Sequence, residues 1–263
     1  MVLSSLATLA HYGRIGNSVE QRQRGVTVLG YAHLAVLLLV LIVVGFAEAR
    51  LPARAGATSD RRLAANFGLG VLAMLTGLLP WIGPLAAAAW AESGQWGLLR
   101  AVEGGALPLA AQSALGLIAI SLASYGLHRL MHKVDALWYL HRLHHSDADL
   151  DFSTGFRTHP AEAILSSVVI AATVALIGLD PLAVAIALIV LQALDLLAHG
   201  NVRLPDRVEH ALGQVLATPA IHARHHSAER REHDSNFGNG IIVWDRLFGT
   251  FSGRETPKRL GVD

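Results

Sequence analysis

The stretch His141-Arg142-Leu143-His144-His145 places three imidazoles within five residues. A helix turns about 100° per residue, so positions i, i+3 and i+4 share a face and the three rings are expected to point the same way. The spacing recurs at His222-Ala223-Arg224-His225-His226, and an i, i+4 pair precedes both at His128 and His132. Eight clustered imidazoles predict that the three segments fold onto one metal centre. On this reading His11, His33, His210 and His233 need no function.

The surroundings of these histidines are apolar. Of 263 residues, 52% are hydrophobic and only 16% charged, and the mean hydropathy is +0.43. That balance predicts an integral membrane protein. A net charge of +1 supplies no field for a nucleic-acid partner. Cysteine is absent, which excludes disulfides, thiolate zinc and cysteine-ligated clusters, so a metal here takes nitrogen or oxygen ligands.

Apolar runs set the organisation. Residues 1–25 mix arginines with short apolar patches, as a membrane-surface segment would. Val26 to Ala47 is long enough to cross about 30 Å of hydrocarbon and is read as a retained span, not a cleaved leader. Residues 48–62, with four arginines, Pro52 and Gly56, read as a polar loop. Leu63 to Ala91 is expected to span until near Leu79 and then break at Pro80, Gly83 and Pro84. A third span runs from Ala106 to Leu127 and leads into His128, with Ser121, Tyr125, His128 and His132 on one face. Ala161 to Gly178 and Pro181 to Ala198 form a tight membrane hairpin around Leu179-Asp180. A hairpin returns the chain to the side it left, so the histidines before and after it share a compartment. Arginine and lysine counts in the short loops place that compartment in the cytoplasm. The division expected is 1–105 as N-terminal membrane segments and 106–263 as the catalytic domain.

Three further residues near the apolar spans stand out. His199 ends the fifth span with Asp195 four residues earlier, and ionisable groups in spans are usually functional; it reads as a further ligand, with Asp195 as ligand or orienting partner. His159, before Pro160, is expected either to support a metal ligand from behind or to hold the loop. A zinc peptidase of the HExxH type needs glutamate after its first histidine, and residue 129 is arginine. Eight or nine imidazoles suffice for two ions, whereas zinc takes about four ligands; imidazole suits iron, copper and zinc, and a redox pair beside lipid favours iron.

Tyr125 to His132, Leu137 to Ser146, Arg157-Thr158-His159-Pro160-Ala161-Glu162, His199 to Pro205, and the closing run Thr218-Pro219, His222 to His226, Asn236 to Gly240 and Trp244 to Thr250 together resemble the fatty acid hydroxylase and sterol desaturase superfamily. The resemblance covers roughly residues 120–252. It implies an all-α membrane protein, a helical transmembrane bundle with a cytosolic histidine-rich cap holding a dimetal centre, di-iron in active enzymes. The implied ligands are His128, His132, His141, His144, His145, His199, His222, His225 and His226. Where some relatives carry a tenth histidine, this chain has Asp195.

The implied reaction is dioxygen-dependent hydroxylation or desaturation of a C–H bond in a lipid or sterol-like substrate. No haem-attachment, flavin or nicotinamide fingerprint is present, so an external electron donor is expected, a reductase or small redox carrier. The rival readings are a zinc-dependent membrane lipid hydrolase, a metal-binding membrane protein without oxidase activity, and a metal transporter. The last would need ligands in mid-membrane, whereas these histidines lie at span ends.

Overall fold

The computed structural model describes residues 34–55, 59–77, 83–101, 107–255 and 257–262. The surface segment expected over 1–25 and the first part of the span expected over 26–47 lie outside these residues. Among the described residues the chain is helical and builds no sheet, with only isolated bridges such as Pro52 to Val202.

Helix α1 covers 34–50, followed by α2 (Asp60–Gly77), α3 (Pro84–Gly94), α4 (Leu98–Ala101), α5 (Leu109–Lys133) and α6 (Asp135–His145). A 3-10 turn at Phe152–Phe156 leads into the hairpin of α7 (Pro160–Ile177) and α8 (Pro181–His199), and four short helices close the chain: α9 (Asp206–Leu212), α10 (Pro219–His225), α11 (Arg230–His233) and α12 (Val243–Leu247). Helices α5, α7 and α8 are long and apolar enough to cross a membrane. The all-α membrane bundle that the family resemblance implies is therefore the fold.

Local chemistry sets the helix starts. His159, Asp180 and Thr218 each cap a helix whose first residue is proline, where the missing N–H costs nothing and the fixed φ already suits the helix. The α7–α8 turn closes at Gly178, whose φ of 78° sits in the left-handed region open to glycine. It also touches Gly97, at φ 109°; a Cβ on Gly97 would lie 2.5 Å from the Gly178 Cα. This contact seats α4 on the turn, at the end of the bundle away from the histidines.

Helix α5 packs between α7 and α8, and α3 lies across the same pair. Their shared core is small and aliphatic, with Ala88, Ile120, Val174, Leu179, Val184 and Ala187 buried together. Small side chains let membrane helices approach closely, and packing holds them where lipid offers no hydrophobic drive. At the opposite end, the polar stripe of α5 meets the C-terminal cap: Trp244 Nε1 donates to Ser121 Oγ at 3.0 Å, and Tyr125 Oη pairs with Thr250 Oγ1 at 2.9 Å.

The polar loop expected over 48–62 is corrected. Residues 48–50 continue α1 and 60–62 open α2. Arg62, instead of facing water, is inserted under the cap, with Nε 2.6 Å from Asp147 Oδ1 and Nη1 2.6 Å from Asp151 Oδ2. Arg203 N donates to Leu51 O at 2.8 Å. The 48–62 connection, the segment after α6 and the start of the C-terminal region thus meet at one end of the bundle. The second apolar run is two helices, α2 to Gly77 and α3 from Pro84, in keeping with the expected break; residues 78–82 lie outside the description.

Candidate metal centre

All nine histidines singled out in the sequence are buried and lie together at that end. They form two adjoining groups that could each hold a metal ion: His128, His132, His141, His145 and His225 in the first, and His144, His199, His222 and His226 in the second. The expectation that the three rings of one HxxHH copy point the same way is corrected. In both copies the i and i+4 residues share a group and the i+3 residue joins the other. Around the helix i+3 lies about 60° to one side of i and i+4 about 40° to the other, an offset of about 100° between them that is enough to aim the rings at neighbouring points.

Hydrogen bonds fix which ring nitrogens face inward. A carbonyl can only accept, so a ring nitrogen against one must carry the proton. His128 Nδ1 donates to Phe237 O at 2.7 Å, His225 Nδ1 to Ser235 O at 2.7 Å, His144 Nδ1 to Arg157 O at 3.2 Å and His199 Nδ1 to Asp195 O at 2.8 Å. His141 Nδ1 lies 2.8 Å from the Glu162 carboxylate. Each Nε2 is then a bare lone pair. These lone pairs point at one another: His128 to His225 at 3.0 Å, His128 to His141 at 2.9 Å, and His199 to His144 at 3.2 Å.

Such contacts are repulsive with nothing between them. A proton does not resolve them, because burial first and neighbouring histidines next push His144 well below the usual imidazole range, and burial takes His225 down to about 3. Both rings stay neutral at pH 7. A cation does resolve them. Metal–imidazole bonds of about 2.0–2.1 Å place two ligands at right angles about 3 Å apart, which is the spacing seen. His132 and His145 have both ring nitrogens buried without a hydrogen-bond partner, an arrangement costing about 1–3 kcal/mol per group unless something binds them. The donor set fits two nitrogen-ligated ions, and five imidazoles in the first group exceed what a four-coordinate zinc takes.

The two further candidates are placed differently. His159 Nδ1 accepts from Ala161 N at 3.1 Å and caps α7; it belongs to neither group. Asp195 orients His199 through its backbone carbonyl, while its carboxylate stands 3.7 Å from His199 Nδ1 and outside the second group. His210 is exposed, and His11 and His33 lie outside the described residues. His233, given no function from sequence, packs flat on Trp138 and stands with Asp234 beside His132.

Several supporting residues were not singled out in the sequence. Glu162, buried in the first turn of α7, holds His141; it stood in the Arg157–Glu162 motif, where its spacing from Pro160 was the available signal. Asp245 accepts from Phe237 N and Gly238 N, each at 2.7 Å, and so fixes the carbonyl that holds His128. Asn66 on α2 bridges Asp147 and Arg157, with Nδ2 donating to Asp147 Oδ2 and Oδ1 accepting from Arg157 Nη1, both at 2.9 Å. A polar chain therefore runs from Arg62 through Asp147, Asn66 and Arg157 to His144. No sequence pattern marks it.

Comparison with known proteins identifies a family. The fatty acid hydroxylase family model matches residues 113–250, more than half the chain and all nine histidines. The chain belongs to this family of membrane histidine-rich proteins. It is 33% identical over 156 residues to the ornithine lipid hydroxylase OlsE of Rhizobium tropici, a match covering 59% of this chain and 46% of that protein. It is 30% identical over 148 residues to the alkylglycerol monooxygenase of Homo sapiens, covering 55% and 32%, and 28% identical over 138 residues to that of Danio rerio, covering 52% and 30%. The chain thus spans less than half the length of these relatives. No solved structure matches it.

Proposed function

We propose that this protein is a di-iron, dioxygen-dependent lipid hydroxylase, with residues 106–263 as its catalytic domain and the nine clustered histidines as the metal ligands. The observation that carries the reading is the convergence of imidazole lone pairs, fixed by their Nδ1–H bonds, into two adjoining buried groups. The names of its relatives favour hydroxylation over desaturation, and they favour a lipid as substrate.

When bound, two iron ions supply the activation of dioxygen: one oxygen atom enters the C–H bond, the other leaves as water, and two electrons and two protons come from outside the chain. The protein's share is preorganisation. Carbonyls of Arg157, Asp195, Ser235 and Phe237 hold four rings in one tautomer, and Glu162 holds a fifth, so ligand geometry costs little when metal binds. Burial of all nine rings keeps water from the site. The electron donor is a reductase or small redox carrier, and by the loop-charge argument it approaches from the cytoplasm.

Purified protein expressed with ample iron is expected to carry two iron ions per chain and, when reduced, to consume dioxygen in step with lipid hydroxylation. Protein that holds only zinc and leaves dioxygen untouched would overturn the oxidase reading in favour of a zinc lipid hydrolase or a structural metal protein.

A further inference from the structure

Beyond α12 the chain turns back onto both HxxHH copies. Residues 257–262 run antiparallel to 226–228: Leu260 is bridged to Ser227, Ala228 N donates to Arg259 O at 2.9 Å, and Gly261 N donates to His226 O at 3.3 Å. The next amide reaches the other copy, Val262 N donating to His145 O at 2.9 Å. Two successive N–H groups therefore hold the i+4 histidine of each motif. Both acceptors stand where a helix stops, His145 as the last residue of α6 and His226 as the C-cap of α10, so neither carbonyl has a partner further along its helix. Gly261 makes the double contact possible. Its φ of 78° is one that glycine adopts freely, and a Cβ there would lie 2.9 Å from Ala148 Cα and 3.1 Å from Ala148 N, backbone atoms of the segment that follows His145.

The two histidines held in this way sit on either side of the boundary between the groups. His145 belongs to the first and His226 to the second, and their rings stack with centroids 4.6 Å apart and planes 22° from parallel. Five of the nine rings are steered from behind, by a carbonyl or carboxylate at Nδ1. The Nδ1 atoms of His145 and His226 are buried with no hydrogen-bond partner. Packing and the position of their own backbone are what aim these two rings, and the 257–262 segment fixes that backbone from outside.

We propose that residues 257–262 are a strap coupling the two metal groups, in which Gly261 and Val262 are positioning residues for His226 and His145. The proposal rests on the reading of these histidines as metal ligands, not on the oxidase chemistry. Coupling is reciprocal: a strap that favours the metal-binding arrangement is itself held more firmly once metal binds. Cobalt(II) added to the metal-free full chain in detergent tests both directions, since its visible absorption reports binding without turnover. In the wild-type chain cobalt should slow amide exchange over 257–262 about tenfold, while residues 98–101, at the far end of the bundle, exchange as before. A strap that serves folding alone would exchange equally with and without metal. Val262→Pro, which lacks the N–H, should weaken cobalt binding about tenfold, within the range for loss of an outer partner. Val262→Ala keeps the N–H and should bind as wild type, as should Lys258→Ala, an exposed neighbour. Gly261→Ala should weaken binding as well and serves if the proline variant misfolds. Strap exchange indifferent to cobalt, or full affinity in Val262→Pro, would overturn the coupling. A wild-type chain that takes up no cobalt would overturn the strap and the ligand assignment together. One that shows the coupling but leaves dioxygen untouched when loaded with iron would leave the strap standing and count against the oxidase reading alone.

Discussion

His128 and His225, separated by 97 residues, face each other Nε2 to Nε2 at 3.0 Å while each donates its Nδ1 proton to a carbonyl of the 235–237 segment. Two neutral acceptors held this way need a cation. One segment of backbone thus sets the tautomer of a histidine from the end of a membrane helix and of one from the cap.

His225→Ala is expected to remove a ligand from the first group, and His144→Ala one from the second. Each should lose most bound metal and all measurable hydroxylation while the protein still inserts in membranes. Elemental analysis and membrane fractionation check both points, and full metal content in either variant would sink the ligand assignment.

Glu162→Ala leaves His141 Nδ1 without its acceptor. Loss of such an outer partner typically weakens metal binding about 10- to 100-fold, whereas Glu162→Gln keeps an oxygen at the same place and should recover most of the affinity. Competition with a chelator of known affinity reads the difference. Equal affinity in the alanine variant would show that Glu162 does not position the ring.

Acid should destabilise the metal-free protein. Burial lowers the folded-state pKa of His225 to about 3 and pushes those of His144, His145, His222 and His226 well below their usual value. Between about 6.5, the unfolded value, and those lower values the unfolded chain binds more protons, so stability falls as pH falls through that window and is fully present above it. Melting temperatures of apo-protein at pH 7.5, 6.5 and 5.5 should step downward, with a shallow change only between the first two. A midpoint independent of pH would mean that the rings are not buried neutral.

Arg62→Ala removes the cation shared by Asp147 and Asp151 and leaves two buried carboxylates uncompensated. Breaking a buried pair from one side costs about 3–5 kcal/mol, and the effect should reach His144 through Asn66 and Arg157. Thermal unfolding and metal retention should both decline; unchanged stability would remove α2 from the support of the site.

Much of this protein is legible in its sequence because the signals are local. Apolar length picks out α5, α7 and α8, proline after a capping residue sets where α7, α8 and α10 begin, and the short-range spacing of His128 to His145 and His222 to His226 names most of the histidines that cluster. Only the tertiary structure decides how those histidines are arranged. The division of each HxxHH copy between two groups depends on where the partner helices stand, and the tautomer of each ring depends on carbonyls of Arg157, Ser235 and Phe237, since every residue type carries the same backbone oxygen. The role of Arg62 and Asn66 is likewise invisible in one dimension, where a charged stretch between apolar runs reads as a solvated loop. Burial against Asp147 and Asp151, residues some 85 positions away, turns it into part of the scaffold under His144.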